Sequence, residues 1–561
     1  MKRGFTLSIL AASTTLLMAC QSTSDGLAKR ALVDKPDLVG TSQPFASEAI
    51  YFLMTDRFVD GDPNNNYEEQ GGDYPTWEGK LEGPDGQVAY VGYMGGDFQG
   101  VLNNADYFVD LGFSALWMTP IVDNPDQAFA GGEPIEFGGM FKDGNKTGYH
   151  GYWASNFYKE DEHLVSSGLD YAALNHALAE KGLKTILDVV ANHGSPSFTM
   201  TIDQPKFGEL YDIEGKLVAD HQNLDPTKLS QDEPLHDFFH DYPDILQLSN
   251  LDDTNPAVQD YLINSYLHWI DKGAAAFRID TIKHVPHRFW RIMADRIREK
   301  HPDFFIFSES YDYNANFIAQ HTLPKNGGIS VLDFPGQAAM TKVFENPESD
   351  FAELEGYLHL THGPYHNVYE LTTFYDNHDM SRMNADDMGF VNAHNWLFTT
   401  RGIPVVYQGS EFGYMRGTSE HMGNRNYIGQ ERLDAGKEHV IYRELKNIAN
   451  VRKTLPALQR GLQINLELSG QTASFYRVVD TADNQQIALV LLNKGDAPAD
   501  FEVSDMLQAG LWMEQLSGVK QNVTEVLKTQ VKPHGVQVWV LNEGVTDPDL
   551  LRASIDAVKY R

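Results

Sequence analysis

The chain has 561 residues, 42% hydrophobic and 22% charged, with a single cysteine and a formal net charge of −34. This describes a soluble globular protein too long for one small domain. The charge excludes nucleic acid and an anionic membrane surface as main partners, because both would repel it, and leaves a neutral or cationic ligand open.

At the N-terminus Lys2 and Arg3 precede the apolar run FTLSILAASTTLLMA. That run is too short for a stable transmembrane helix and predicts a signal peptide over 1–19. It ends at LMAC, which resembles a bacterial lipobox, with cleavage before Cys20 and acylation of the new N-terminus. The resemblance implies an exported lipoprotein that meets the membrane only through an anchor on Cys20. Gln21 rather than Asp at the next position implies the outer membrane. Residues 20–45, polar and without periodicity, predict a tether. One cysteine forbids an intrachain disulfide, so stability must come from the core and from metal.

Eight strand-like runs then alternate with helical patterns: AIYFLMTDRF (49–58), ALWMTPI (115–121), TILDVVANH (185–193), AAFRID (275–280), FFIFSES (304–310), ISVLDFP (329–335), LTTFYDNHD (371–379) and PVVYQGSE (404–411). Short β-rich runs buried on both sides suit a parallel sheet. Between them lie amphipathic segments such as LDYAALNHALAEKG, PAVQDYLINSYLHWIDKG and PHRFWRIMADRIREKHP, with proline or glycine at their ends. Together they predict an α/β fold, a (β/α)8 TIM barrel over 46–192 and 251–461. From Asp280 to Glu309 is 29 residues, one strand–helix unit, but from Asp188 to Asp280 is 92. The excess predicts a subdomain inserted after strand three, over 193–250. Beyond VRKTLPALQRG the segments SFYRVVD, QIALVLLN and VQVWVLN are short, β-branched and unseparated by helix. They predict a C-terminal antiparallel β-sandwich over 462–545, followed by a tail over 546–561 in which DPDLLRASIDAVKY fits a short helix.

The active site of such a barrel lies at the C-terminal ends of its strands. Those ends carry Asp188, Asn192 and His193, then Arg278 and Asp280, then Glu309, then His378 and Asp379. Solvated acids at loop starts would explain one of these, but not an acid at four strand ends beside hydrophobic runs where desolvation is costly. A retaining glycosidase needs a carboxylate nucleophile and a carboxylic acid proton donor about 5 Å apart. Asp280 shares a face with Arg278, which favours its anion. Glu309, preceded by apolar FFIF, is the better acid, and Asp379 beside His378 suits sugar hydroxyls near a positively charged transition state.

LDVVANH, FRIDTIKH, FSES and FYDNHD resemble the four conserved segments of the α-amylase family, glycoside hydrolase family 13, in order and spacing. GYHGYW (148–153), QLSNLDDTNP (247–256) and GIPVVYQGSE (402–411) agree with it, and the likeness spans about 48–460. It implies Asp280 as nucleophile, Glu309 as acid/base and Asp379 as transition-state stabiliser. Arg278 would order the nucleophile, with Asp188 supporting it. His193 and His378 would bind sugar hydroxyls, Tyr152 would stack under the ring with His150 and Trp153 beside it, and Lys283 would contact the leaving-group sugar.

Clustered oxygen-bearing side chains in DGDPNNN (60–66) and GGD (95–97) suit calcium, although an Asn/Asp turn would look the same. TDRFVDGDPNNN is similar to the calcium loop of amylases related to cyclodextrin glucanotransferases, which implies Asp60, Asp62, Asn65, Asn66, Gly95 and Asp97 as ligands. The family's second calcium site would use Asn192, the carbonyl of His284 and, where members usually offer Asp, Asn250, whose neutral amide weakens it. HDFFH (236–240) mimics a zinc helix, but Asp237 stands where a catalytic Glu is needed. The expectation is therefore a monomeric, calcium-binding, retaining endo-α-1,4-glucan hydrolase acting on starch or maltodextrins at the cell envelope. Three alternatives stay open: a cyclodextrin or 4-α-glucanotransferase, an exo-acting maltooligosaccharide-forming amylase or α-glucosidase, and a glycan-capture protein without activity. Leu246, where cyclising relatives carry an aromatic residue, and the lack of domains after the β-sandwich favour hydrolysis.

Overall fold

The computed structural model describes residues 36–559; the expected signal peptide and Cys20 lie outside the described residues. Eight parallel strands form the barrel: β1 (Ile50–Leu53), β2 (Ala115–Met118), β3 (Lys184–Val189), β4 (Ala276–Ile279), β5 (Phe305–Ser308), β6 (Ser330–Val331), β7 (Thr372–Thr373) and β8 (Ile403–Tyr407). They neighbour one another in chain order, β8 returns to β1 through Ile50↔Val405, and a parallel bridge Leu332↔Thr372 joins β6 to β7. Buried on both faces, the strands read as apolar runs. Phe52, Trp117, Ile186 and Phe307 fill the interior, with Phe52 stacked on Trp117 at 3.8 Å between ring centroids. A larger apolar shell packs the strands' outer faces against the helices.

The helices end where their chemistry demands. Helix α3 (Pro256–Asp271), the third around the barrel after α1 (Ala105–Leu111) and α2 (Tyr171–Glu180), opens with Pro256, and the Asn255 side chain accepts from the Ala257 amide. It is followed by Gly273 at φ +110°, a left-handed residue favoured in glycine. Helices α4 (His287–Lys300), α5 (Phe334–Phe344), α6 (Asp387–Thr399) and α7 (Val440–Thr454) continue the ring. Among the described residues no helix is long and apolar enough to cross a membrane.

Three excursions interrupt the alternation, where the spacing suggested one. The stretch after β3 carries two small antiparallel pairs, His193–Pro196 with Leu248–Asn250 and Glu209–Tyr211 with Leu217–Asp220. Residues 59–97 and 119–170 also run long at the mouth, the first carrying a short hairpin and the second a short antiparallel pair of Val122–Asp123 with Asn156–Glu160. Phe129, Trp153, Met200, Phe207 and Leu248 form a separate apolar cluster joining two of these excursions.

The C-terminal sandwich opens with β9 (Leu462–Ser469), β10 (Thr472–Asp480) and β11 (Gln485–Asn493), part of a six-stranded antiparallel sheet, and a two-stranded pair covers it. Leu489, Leu491, Trp512, Val531 and Trp539 are buried between them. Helix Pro548–Val558 lies in the expected tail and buries Leu550 against the same core. The expectation of a tether up to residue 45 needs correction. Leu38 is fully buried and exchanges both backbone hydrogen bonds with Asp480, at 3.0 and 2.8 Å, and Phe45 stacks on Phe305 at 4.9 Å. Between them the Gly40 amide donates to Arg460 O at 2.7 Å and the Thr41 hydroxyl to Glu370 at 2.6 Å, so apolar and polar contacts together dock the stretch.

Candidate active site

The barrel ladder sets the acids at its mouth. Arg278 on β4 is in register with Asp188 on β3, so both side chains project to the same side, into the barrel. One residue past β4, the Asp280 amide donates to Val189 O (2.9 Å), and the Glu309 amide donates to Ile279 O (2.8 Å) just past β5. Thr281, directly after Asp280, has φ +48°. For a β-branched residue that is a strained conformation, of the kind held at sites where the surroundings over-determine the backbone.

One buried guanidinium serves three carboxylates. Arg278 Nη1 lies 3.0 Å from both Asp188 oxygens and 2.9 Å from Asp280 Oδ1, while Nη2 lies 3.2 Å from Glu309 Oε1. Asp188 also accepts from Trp117 Nε1 (3.0 Å) and the Tyr152 hydroxyl (2.9 Å). Its oxygens are thus committed to structure. Burial raises the Asp188 carboxyl to about 7 against the pull of Arg278. Burial likewise lifts Glu309 to about 8; Arg278 opposes the shift, and Asp379, Asp280 and Asp188 add to it. Asp379 is also raised by burial, with Arg425 and Arg278 holding it down.

The aromatic and imidazole groups close the other side. The Tyr152 hydroxyl stands 3.0 Å from His378 Nε2, and the two rings stack at 5.5 Å. His378 Nε2 is 3.2 Å from Asp379 Oδ2. Burial holds His150, His193 and His378 below the usual histidine range, so all three are neutral at neutral pH. His150 Nδ1 accepts from the Tyr152 amide at 3.1 Å. His150 Nε2, His193 Nδ1 and His378 Nδ1 are buried without a hydrogen-bond partner. Unmet polar atoms at one mouth are what a polyhydroxylated ligand would satisfy.

Not every expected residue arrives there. Trp153 is 2% exposed, packed on Phe129 and Phe207, and offers no face to a sugar. Lys283 sits on the exposed rim, its ammonium donating to Tyr311 O at 2.7 Å. Arg425, absent from the sequence reading, belongs to the centre. It holds Asp379 Oδ1 through Nη2 at 2.5 Å, donates from Nε to His378 O (3.0 Å), and pairs through Nη1 with Glu420 at 2.8 Å. Glu420 is buried, yet Arg425 and Lys146 hold it well below the usual carboxylate range. Arg425 lies in the long connection after β8, where a charge looks like any solvated loop residue, so no sequence pattern singled it out.

The loop read as a calcium site has a definite chemistry. Asp97 accepts from the Gly61, Asp62 and Gly100 amides and from the Asn65 amide group, which knits the loop to helix Phe98–Asn103. Asn66 donates to Asp60 Oδ2 at 2.9 Å, while Asp60 Oδ1, Asn65 Oδ1 and Asn66 Oδ1 are buried with no donor facing them. At Gly95, φ +86°, a Cβ would lie 2.6 Å from Asn66 Oδ1, so only glycine lets the backbone close on these oxygens. Several oxygens without donors fit a hard divalent cation. At the second position Asn192 Nδ2 and His284 Nδ1 each lie 3.0 Å from Asp244 Oδ2, whereas the Asn250 amide donates to Tyr242 O. The carboxylate facing Asn192 is therefore Asp244, which counting back from Asp280 did not find. In HDFFH, His236 accepts from the Ser230 amide and His240 pairs with Asp253, so the two histidines serve separate structural contacts.

These features have known counterparts. The chain is 28% identical over 507 residues to the cyclomaltodextrin glucanotransferase of Bacillus licheniformis, covering 87% of this chain and 64% of that protein. Among solved structures, CldA, a cyclomaltodextrin glucanotransferase with a three-domain ABC distribution, superposes with a TM-score of 0.70 at 28% identity, covering 88% of this chain and 99% of that one. An α-amylase from Anoxybacillus does so with a TM-score of 0.69 at 25% identity, covering 90% of this chain and 100% of that one. Residues 52–454 match the α-amylase catalytic domain, and the chain belongs to the α-amylase family, whose members are glycoside hydrolases and transferases.

Proposed function

We propose that this protein is a retaining, endo-acting α-1,4-glucan hydrolase. The observation that carries the reading is that two carboxyls from neighbouring strands, Asp280 and Glu309, meet on the one buried guanidinium of Arg278. Glu309 is raised to about 8 and keeps its proton at neutral pH, while Asp280 has its Oδ1 on the guanidinium at 2.9 Å. Glu309 gives its proton to the glycosidic oxygen as Asp280 attacks the anomeric carbon; the C–O bond breaks and a glycosyl ester forms. The Glu309 carboxylate then takes a proton from water, whose oxygen attacks the same carbon and releases Asp280. Asp379, aligned by Arg425 and His378, holds hydroxyls of the distorted sugar, and Tyr152, His150 and His193 complete its wall.

The second step also admits a sugar hydroxyl in place of water, which is glucan transfer. The likeness to glucanotransferases favours that second reading, and the three-domain CldA removes the argument from domain number. Chromatography of products from soluble starch, maltoheptaose and cyclodextrins separates the readings. The hydrolase yields a ladder of linear lengths, an exo-enzyme one dominant short product, and a transferase cyclic or elongated products. Cyclic products as the main early species would overturn the hydrolase assignment.

Calcium in the loop of Asp60, Asp62, Asn65, Asn66, Gly95 and Asp97 would neutralise its unmet oxygens and fix the connection after β1. Export and acylation at Cys20 complete the proposal. Labelling with radioactive palmitate that disappears in Cys20→Ser tests the anchor, and light scattering of the soluble body tests the expected monomer.

A further inference from the structure

A groove of about 520 Å³ opens between the hairpin near residue 90 and the connection after β8, outside the pocket of Arg278. Tyr90, Tyr414 and Tyr427 line it with Met94 and Met422, all half-buried, and Asn426 forms part of its wall. Asn426 donates to Val88 O at 2.8 Å, but its Oδ1 is buried and accepts from nothing. Its chain neighbour Arg425, one Cα step of about 3.8 Å away, holds Asp379. One backbone segment therefore lines the groove through Asn426 and holds Asp379 at the barrel mouth through Arg425.

We propose that this groove is a second binding site for α-glucan, taking a stretch of the same polymer whose scissile bond lies at Asp280. The proposal rests on the glucan reading above. Pyranose rings present apolar C–H faces and polar edges, which matches the half-buried rings of Tyr90 and Tyr427 and the hydroxyl of Tyr90, while the Tyr414 hydroxyl donates to Tyr427 O at 3.1 Å and its ring forms wall beneath Arg432. Methionine adds a polarisable, adaptable floor. The ligand is neutral, because the nearby cation, Arg432, is committed to the carbonyls of Tyr427 and Ile428 and lies 5.5 Å from the Tyr414 ring centroid. A neutral polymer also suits a chain of net charge −34. Tyr427 is spared in the test, since its hydroxyl accepts from the Asp60 amide in the candidate calcium loop.

The test compares full-length protein with Tyr90→Ala, Met422→Ala and the double variant. Retardation in native gels containing soluble starch is measured alongside kinetics on starch and on maltoheptaose. The double variant should lose about tenfold in starch affinity, equivalent to ~1.4 kcal/mol. Its turnover of maltoheptaose and its melting temperature should match the wild type. Unchanged starch retardation in the double variant would overturn the groove, as would an equal loss on both substrates with a lower melting temperature. Starch retardation that the double variant loses, with no cleavage of any glucan by the wild type, would keep the groove and sink the catalytic reading.

Discussion

The barrel mouth and the junction beneath β8 bury charge in opposite ways. At the junction Arg477 donates to the carbonyls of Thr399, Thr400 and Gly461, and Arg452 to those of Phe398, Leu458, Gly402 and Gln459. Burial lowers Arg477 only to about 10, so its charge does not change near neutral pH. At the mouth Asp188, Asp280, Glu309 and Asp379 share Arg278 and Arg425, and Glu309 and Asp188 titrate near 8 and 7. Cations tied to fixed carbonyl dipoles make an architectural joint that unites the two domains. Acids crowded around too few cations make a place where a proton can change hands. Burial is common to both, and the balance of partners decides which one is chemistry.

Exchanging charges at each end breaks or upholds that contrast. Asp280→Asn should lower kcat on starch by on the order of 10⁴, because it removes the attacking group. Its melting temperature should stay level or rise, since a like charge leaves a crowded site. Arg477→Met should do the reverse: three carbonyls lose their donors, and stability falls by roughly 3 kcal/mol, with kcat unchanged in whatever remains folded. Both effects are read by steady-state kinetics and denaturant melts. An Asp280→Asn protein that still cleaves starch, or that unfolds as Arg477→Met does, would erase the distinction.

Titration sharpens it next. Glu309 in the folded protein is raised from 4.5 to about 8. Below 4.5 both folded and unfolded states hold the proton. Between the two values only the folded state holds it, so stability falls as pH rises through that window and levels off above 8. Activity that needs the protonated acid falls over the upper part of the same range. Glu309→Gln should flatten its share of the stability slope and reduce kcat by about 10²–10⁴-fold. Arg477→Met should leave the slope unaltered, which pH-dependent melts of the two variants would show.

How much of this was legible in the sequence follows the same line. Each mouth acid lies next to an apolar strand, and strand period with spacing is local information. Asp188, Arg278, Asp280, Glu309 and Asp379 could therefore be placed from the sequence, and the eight strands with them. The runs were drawn too long at their C-terminal ends. Thr55–Phe58, for example, is a helical turn because Asp56 accepts the Met94 and Gly95 amides and Arg57 reaches Gly92 O. The misses are long-range. Arg425 meets Asp379 across 46 residues, and Asp244 meets Asn192 across 52. The excursions over 59–97 and 119–170 have too little periodicity to announce themselves. Trp153 sits beside Tyr152 in GYHGYW yet turns into a different core, which neighbouring letters do not reveal.

Arg425 offers a smaller test, as a positioning residue. Arg425→Lys keeps the charge but loses the fork that spans Asp379, His378 O and Glu420. Misplacement of Asp379 by about 1 Å would lower kcat by about 100-fold. KM for a short maltooligosaccharide should move little, since the remaining contacts of the sugar are intact. A purely architectural role would instead lower the melting temperature and leave kcat per folded molecule alone.

The smallest effect asks whether unmet oxygens mark ligand sites away from the mouth as well. Asp60 Oδ1, Asn65 Oδ1 and Asn66 Oδ1 are buried without donors, a state that costs about 1–3 kcal/mol for each group until something pairs with it. A cation that binds only the folded loop adds about 2.7 kcal/mol at a hundredfold excess over its Kd. Chelation should therefore lower the melting temperature by a few degrees, and calcium should restore it more fully than magnesium, which demands tighter octahedral geometry. Asn66→Ala should melt like the chelated wild type and ignore added calcium, while turnover at low temperature stays near normal because Asp280, Glu309 and Asp379 are not in the loop. If elemental analysis finds no calcium and chelation moves nothing, orphaned acceptors mark a ligand only where acids crowd the barrel mouth. The loop would then be held by Asp97 and its four N–H donors alone.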